Sequence, residues 1–230
     1  NPVSIPGKFK KSGKKAARQT ITQSLKLDSE KKIVTYPVRV IRRKNIGELI
    51  LLSELFKDEA TFLVTLAPKN PLEIKPYRRW RSFCKDHQLN NVHFEVAGRV
   101  HFDELMSGSD FCITVSTREG FGMTFMEPWL YFTPVVGRNL DYITKDFIDS
   151  GICFRNLYDK LIIPGSGKDF KDLGEQAQMD HILQIRNEPD LKDRIFQLNR
   201  PLRKLLKPIE AKAVEKNNRL IIKHYSLNSY

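Results

Sequence analysis

Between residues 32 and 154 the chain alternates short apolar runs with amphipathic ones, and this alternation limits its fold more than any other feature. The runs 32-KIVTYPV-38, 60-ATFLVTLAP-68, 92-VHFEVAG-98, 111-FCITVS-116, 134-PVVG-137 and 152-ICF-154 are rich in β-branched and aromatic residues and read as strands. Between the first two, 45-NIGELILLSELF-56 places Ile46, Leu49, Ile50 and Phe56 at helical spacing. The stretch 72-LEIKPYRRWRSFCKDH-87 reads as helical in its later part, from near Pro76, because proline suits a first helical turn. Further helices are expected at 16–26, 102–109, 122–131 and 141–149. Apolar strands alternating with helices belong in a parallel sheet covered on both faces. The fold class is therefore α/β: a Rossmann-like three-layer sandwich with a parallel sheet of about six strands. From about residue 172 the pattern is wholly helical, broken at Asn187 to Asp190 and again at Pro201 and Pro208. The expected organisation is a basic lead and linker helix over 1–30, an α/β domain over 31–171, and helices over 172–230 that pack back on it.

Bulk composition narrows the setting. Hydrophobic residues make up 40% of the chain, with 14 Phe, enough for a substantial core. No apolar run is long enough to span a membrane, and no secretory leader precedes the first strand. The chain opens on Asn-Pro, as an excised piece of a longer protein would. Cys84, Cys112 and Cys153 lie far apart without a CxxC, which suits reduced thiols in a reducing, cytoplasmic compartment and not a zinc site. The net charge is +12, and residues 1–20 carry Lys8, Lys10, Lys11, Lys14, Lys15 and Arg18 with no acid. A solvated face is the plain reading of that run. An anionic ligand, an acidic membrane surface or a nucleic acid would also suit it. Nucleic acid is disfavoured, because no RNP-like motif, zinc finger or clear helix-turn-helix is present.

In open parallel sheets ligands bind at the carboxyl ends of the strands, which here points to loops 37–44, 67–71, 98–101, 116–122 and 137–141. Familiar signatures are missing from them: there is no GxGxxG, no GxSxG and no HExxH. The string 165-GSGKD-169 lacks a Walker glycine at Ile162 and has Asp169 where Ser or Thr belongs, so it reads as a surface turn. Two loops remain. In 116-STREGFGMTFMEP-128 the glycines Gly120 and Gly122 open a helix with bare N–H groups, which suits an anion. Glu119 makes sense beside an anion if it accepts hydrogen bonds from neighbouring hydroxyls, and Glu127, two turns on, reaches a second set. Capping and surface charge are the plain alternative for this pair. In 37-PVRVIRRKNI-46, Arg39, Arg42, Arg43 and Lys44 crowd the start of a helix, where cations oppose the macrodipole unless an anion is bound. A diphosphate next to carboxylates that read hydroxyls describes a nucleotide-sugar.

At this point the sequence resembles a known family. The stretch 38-VRVIRRKN-45 is similar to a glycine-arginine-leucine motif with a lysine five residues after the arginine, with Val38 and Asn45 where glycines are common. The segment 119-EGFGMTFME-127 matches an E-x7-E motif with its Gly-Phe-Gly, and 95-EVAGRVHFDEL-105, Asp110 and 134-PVVG-137 match the surrounding pieces. Together they resemble the C-terminal, donor-binding domain of GT-B glycosyltransferases of the retaining, GT4-like group, and the resemblance covers nearly the whole chain. It implies one half of a GT-B fold and, in the full-length protein, a hexosyltransferase. Arg39 and Lys44 would bind the donor diphosphate and steady the departing charge. Glu119 would hold the transferred sugar, helped by the N–H groups of Gly120, Phe121 and Gly122, and Glu127 would hold the ribose. The base would sit near 98–101, beside Gly98 and Arg99, and near the loop after the second strand. Arg138 is open between an extra phosphate contact and a surface arginine. The donor would be a UDP-, GDP- or ADP-sugar used without a metal. The acceptor, unidentified, would meet an N-terminal GT-B domain absent from this chain, and the basic lead would suit contact with a membrane surface. Two other readings stay open: a non-catalytic nucleotide- or anion-binding module, and a basic nucleic-acid-binding domain.

Overall fold

The computed structural model describes residues 13–227. Six parallel strands form one sheet: β1 (Lys32–Arg39), β2 (Ala60–Leu66), β3 (Val92–His93), β4 (Phe111–Thr114), β5 (Val135–Arg138) and β6 (Asn156–Tyr158), in the order β3-β2-β1-β4-β5-β6. Helices α1 (Lys14–Leu25), α2 (Ile46–Leu55), α3 (Pro71–Asp86), α4 (Phe102–Gly108), α5 (Met123–Leu130) and α6 (Asp141–Asp149) connect and flank the strands. Three more, α7 (Glu175–Asn187), α8 (Pro189–Leu198) and α9 (Ala211–Leu227), close the molecule.

The sheet is covered on both faces, as its uniformly apolar strands require. On one face Val34, Tyr36, Val38, Phe62, Ile113 and Val136 pack with Leu49 of α2, Trp80 of α3, Ile182 of α7 and Ile195 of α8. On the other, Ile33 and Leu63 meet Ile21 of α1 and Leu105 of α4, while Val135 meets Phe125 and Trp129 of α5, Ile143 of α6 and Ile221 of α9. All 10 residues of α2 are buried, Glu48 included, so this helix lies wholly inside the molecule.

Three elements differ from expectation. Strand β3 ends at His93, after which Glu95 turns left-handed (φ 59°) into a 3-10 turn, Val96–Gly98. An edge strand has only one neighbour to hold it, and here Tyr77 and Arg81 of α3 take the Glu95 carboxylate instead. Helix α3 begins at Pro71 and not near Pro76, because Asn70 Oδ1 caps the Leu72 N–H and Pro71 fills the first-turn position. The last strand is Asn156–Tyr158 and not 152–154: Ile152 goes into the core against α5 and α9, and Asn156 is held by the Leu205 and Lys207 carbonyls.

Of the basic lead, residues 1–12 lie outside the described residues. Within α1, Arg18 donates to Asp110 and to the Ser29 and Lys31 carbonyls, and Lys14 stands 3.6 Å from Asp110. Asp110 also accepts the Ile33 N–H, so part of this charge fixes α1 to the amino edge of the sheet. The stretch 165–168 is an exposed turn whose flanks close through an Ile162–Asp169 bridge onto the buried Phe170. Among the described residues no helix is long and apolar enough to cross a membrane. Cys84 and Cys112 are buried and Cys153 is exposed, and all are free thiols.

Candidate active site

Strands β1 and β4 are neighbours, yet the helices that follow them, α2 and α5, pack on opposite faces of the sheet. Their carboxyl ends therefore border a crevice, the place where such folds bind ligands. After β1 the chain makes a 3-10 turn, Arg42–Lys44, and Asn45 takes the left-handed conformation (φ 49°, ψ 52°) that starts α2. After β4 it runs to Gly122 (φ 68°), which starts α5. The two loops are sewn together. The Tyr36 hydroxyl donates to the Lys44 carbonyl (3.1 Å) and accepts from the Ser116 hydroxyl (2.7 Å), and the Thr117 N–H donates to the Arg43 carbonyl (2.9 Å).

The structure brings Lys44 and Glu119 into a direct ion pair, with side chains only 10% and 8% exposed. Thr124 Oγ1 lies 3.5 Å from the same carboxylate and Arg43 stands 4.0 Å from it. Burial pushes the Lys44 pKa down, and the hydrogen bond and charge of Glu119 recover only part of that loss. The Glu119 backbone is also held: its N–H donates to the Tyr142 hydroxyl (2.7 Å), which in turn donates to the Glu119 carbonyl (3.2 Å). Sequence reasoning missed Tyr142. Its only signal was a tyrosine in the first turn of the helix after β5, on the same sheet edge.

Gly120 and Phe121 are exposed, Phe121 at 86%, and the N–H groups of Gly120, Phe121 and Gly122 have no acceptor among the described residues. A Cβ on Gly122 would lie 2.4 Å from Ile143 Cγ2, at a φ that disfavours any side chain, so this position requires glycine. Glu127 sits half-buried on α5 with no hydrogen bond or ion pair among the described residues, and burial raises its pKa.

The remaining candidates are placed differently. Arg39 is half-buried and donates to the Ala67 carbonyl, tying the end of β1 to the loop after β2. Gly98 and Arg99 are exposed at the β3 margin, where Arg99 lines a hollow with Arg78, Arg81, Lys85 and His93 and not with Lys44 or Glu119. Burial, and then the charge of Arg99, lower the His93 pKa.

Arg138 corrects the sequence reading outright. It is neither a phosphate contact nor a surface arginine: it is 1% exposed and pairs with Glu48 and Asp169. Strand alternation points it, like Val136, toward α2. Its five N–H donors are all engaged, by both Glu48 oxygens, both Asp169 oxygens and the Asp159 carbonyl. Burial pushes the Asp169 carboxyl up, but the hydrogen bonds and charge of Arg138 outweigh it and hold it below its ordinary value. Glu48 takes two further hydrogen bonds, from the Tyr158 hydroxyl (2.6 Å) and from Asn45 Nδ2 (2.9 Å). No donor is left for a ligand.

A cavity of about 310 Å³ opens beside the 42–45 turn, lined by Arg42, Asn45, Glu73, Trp80, Thr117 and Gln178 among others. Among the described residues no group of His, Cys, Asp and Glu is arranged to hold a metal ion.

With this geometry in view, comparison with known proteins decides the family: the profile for glycosyl transferases group 1 matches residues 17–176. The chain belongs to the group 1 glycosyltransferases. It is 29% identical over 166 residues to mannosylglucosyl-3-phosphoglycerate synthase of Petrotoga mobilis, a match covering 66% of this chain and 30% of that protein. It is 30% identical over 108 residues to the GtfA subunit of a UDP-N-acetylglucosamine–peptide N-acetylglucosaminyltransferase from Streptococcus pneumoniae serotype 4, covering 47% of this chain and 20% of that one. The chain thus spans less than a third of the length of these curated relatives. Among solved structures, the C-terminal domain of the group 1 protein LpcC from Francisella tularensis aligns with a TM-score of 0.53 at 16% identity, over 90% of this chain and 92% of that domain. TarM aligns with a TM-score of 0.50 at 20% identity, over 87% of this chain and 33% of TarM. The fold of this group 1 glycosyltransferase is that of one half of a GT-B enzyme.

Proposed function

We propose that this chain binds the nucleoside-diphosphate-sugar donor of a retaining glycosyltransferase, and that the whole protein moves a hexose from a UDP-, GDP- or ADP-sugar to an acceptor held by a second GT-B half. The observation that carries this reading is the buried contact between Lys44 and Glu119 at the crevice between β1 and β4. It sets a cation for a leaving diphosphate next to a carboxylate for sugar hydroxyls.

The chemistry follows from that pairing. Breaking the sugar–phosphate bond leaves growing negative charge on the diphosphate, which the Lys44 ammonium stabilises in a largely dry setting. The unengaged N–H groups at 120–122 meet phosphate or sugar oxygens, and the start of α5 adds its dipole. Glu119 accepts from hydroxyls of the transferred sugar and orients it, while Glu127 accepts from the ribose. Attack on the face the diphosphate leaves retains the anomeric configuration, with the departing phosphate taking the acceptor proton. Arg39 completes the diphosphate site if it turns from the Ala67 carbonyl.

Calorimetric titration with UDP, GDP and ADP, then with sugar conjugates of the one that binds, tests this reading. One nucleotide is expected to bind. Glu119→Gln is expected to lower affinity for the sugar conjugate by roughly tenfold or more, far beyond its effect on the bare nucleotide. Equal losses for the two ligands would remove Glu119 from the sugar site, and no binding of any nucleotide at millimolar concentration would sink the donor reading for this chain.

A further inference from the structure

Both members of the Lys44–Glu119 pair are held from one short stretch of chain, the end of β5 and the start of α6. Arg138 grips Glu48 through two charge-assisted hydrogen bonds, at 2.9 and 2.6 Å. Glu48 in turn accepts from Asn45 Nδ2 at 2.9 Å, and Asn45 is the residue next to Lys44. Four residues beyond Arg138, Tyr142 holds the N–H and the carbonyl of Glu119.

The need for such anchoring is local. The turn that presents Lys44 is a 3-residue 3-10 segment whose own backbone bonds are Lys44 N–H to Ile41 and Asn45 N–H to Arg42. It ends in Asn45, a left-handed residue that bears a side chain, and such a backbone persists where neighbouring contacts support it. Tyr36 fixes the Lys44 carbonyl from the sheet side. On the helix side the support is the Asn45 amide on Glu48. Glu48, 0% exposed, has its carboxylate oxygens satisfied by Arg138 and the Tyr158 hydroxyl, which offsets the cost of burying it. The ion pair between Arg138 and Asp169 then ties this assembly to the chain beyond β6. Tyr142, by contrast, is 58% exposed and adds little to the core, so its hydroxyl is spent on Glu119.

We propose that residues 138–142 form a positioning element for the donor site: Arg138 sets Lys44 through Glu48 and Asn45, and Tyr142 sets Glu119 directly. This rests on the donor-site reading above. Arg138 touches neither donor nor acceptor and acts only through its neighbours.

Three variants probe it. Glu48→Gln weakens the central link, although its burial puts folding at risk. Asn45→Gly cuts only the last link and keeps a residue at ease in the left-handed region. Tyr142→Phe removes one exposed hydroxyl. In the protein without ligand, amide hydrogen exchange is expected to quicken at Lys44 and Asn45 in Asn45→Gly and at Glu119 in Tyr142→Phe, with the amides of β1 and β2 unchanged. With whichever of UDP, GDP or ADP binds, Glu48→Gln and Asn45→Gly should lose roughly fivefold in affinity, whereas Tyr142→Phe should lose roughly fivefold for the sugar conjugate of that nucleotide and little for the bare nucleotide. The matching nucleoside monophosphate should lose little. In a Lys44→Met background, Asn45→Gly should cost nothing further, because its route runs through Lys44. Unchanged exchange at the named amides, equal losses for diphosphate and monophosphate, or full additivity with Lys44→Met would each overturn the proposal. If exchange responds as expected but none of the nucleotides binds the unmodified chain, the donor reading falls and the positioning of the two residues stands.

Discussion

Glu127 keeps a half-buried carboxylate on α5 without a hydrogen bond or ion pair among the described residues, and burial alone raises its pKa above the ordinary 4.5. Between 4.5 and the raised value the folded chain holds a proton that the unfolded chain has released. This group therefore lowers stability as pH rises through that window, and its penalty is constant above it. Glu127→Gln mimics the protonated form. It is expected to stabilise the chain by about 1 kcal/mol at neutral pH, the scale for an uncompensated buried polar group, and the gain should vanish below pH 4.5. The same substitution should weaken binding of the nucleotide that titration identifies. Urea unfolding across pH, set beside calorimetry at pH 7, checks both signs, and a loss of stability at pH 7 would mean that the carboxylate has a partner in the fold. That Lys44, Glu119 and Gly122 would gather at one edge of the sheet was legible in the sequence, because each lies in the stretch just beyond a strand. Arg138 was not, since its environment depends on Glu48 and Asp169, which lie 90 and 31 residues away along the chain. An arginine at the end of a strand, paired with two distant acids, has no local signature.

At the scale of elements, the close approach of β4 and β5 depends on Gly137. It has φ 119°, and a Cβ there would lie 2.1 Å from the Thr114 carbonyl oxygen. Gly137→Ala must separate the two strands or distort one of them. A loss of about 3 kcal/mol, or failure to fold, is expected in urea denaturation. A near-neutral result would show that the strands can shift without penalty. The alternation of apolar strands and amphipathic helices gave most of these elements directly, because strands buried on both faces must be apolar throughout. It failed where local and tertiary signals compete. The 92–98 run has strand-forming residues, but only Val92 and His93 find a neighbour, and Glu95 is drawn away by α3. Pro76 signals a helix start, yet the Asn70 cap and Pro71 begin the helix five residues earlier and leave Pro76 inside it. The last strand was displaced from 152–154 to Asn156–Tyr158 because Ile152 was recruited by the core under α9.

For the whole molecule, the sheet order places the first and second halves of the α/β unit side by side, and long-range contacts bind them. Arg138 of β5 reaches Glu48 of α2 across the β1–β4 crossing, and α7 packs on α2 from the far end of the sequence. The chain beyond residue 168 is therefore held by the part before it through more than the peptide bond that joins them. Gly165, Ser166, Gly167 and Lys168 are all exposed, whereas Asp169 and Phe170 immediately after them are buried. A protease that opens this turn would cut the polypeptide without opening the core. The expected result is two bands on a denaturing gel but a single species, at unchanged volume, in size-exclusion chromatography. Separate elution of the pieces would show that the C-terminal helices depend on covalent continuity. If the pieces stay together, the turn is also a natural split point: residues 1–168 and 169–230, produced as separate chains, would reassemble into one sheet with its helices in place.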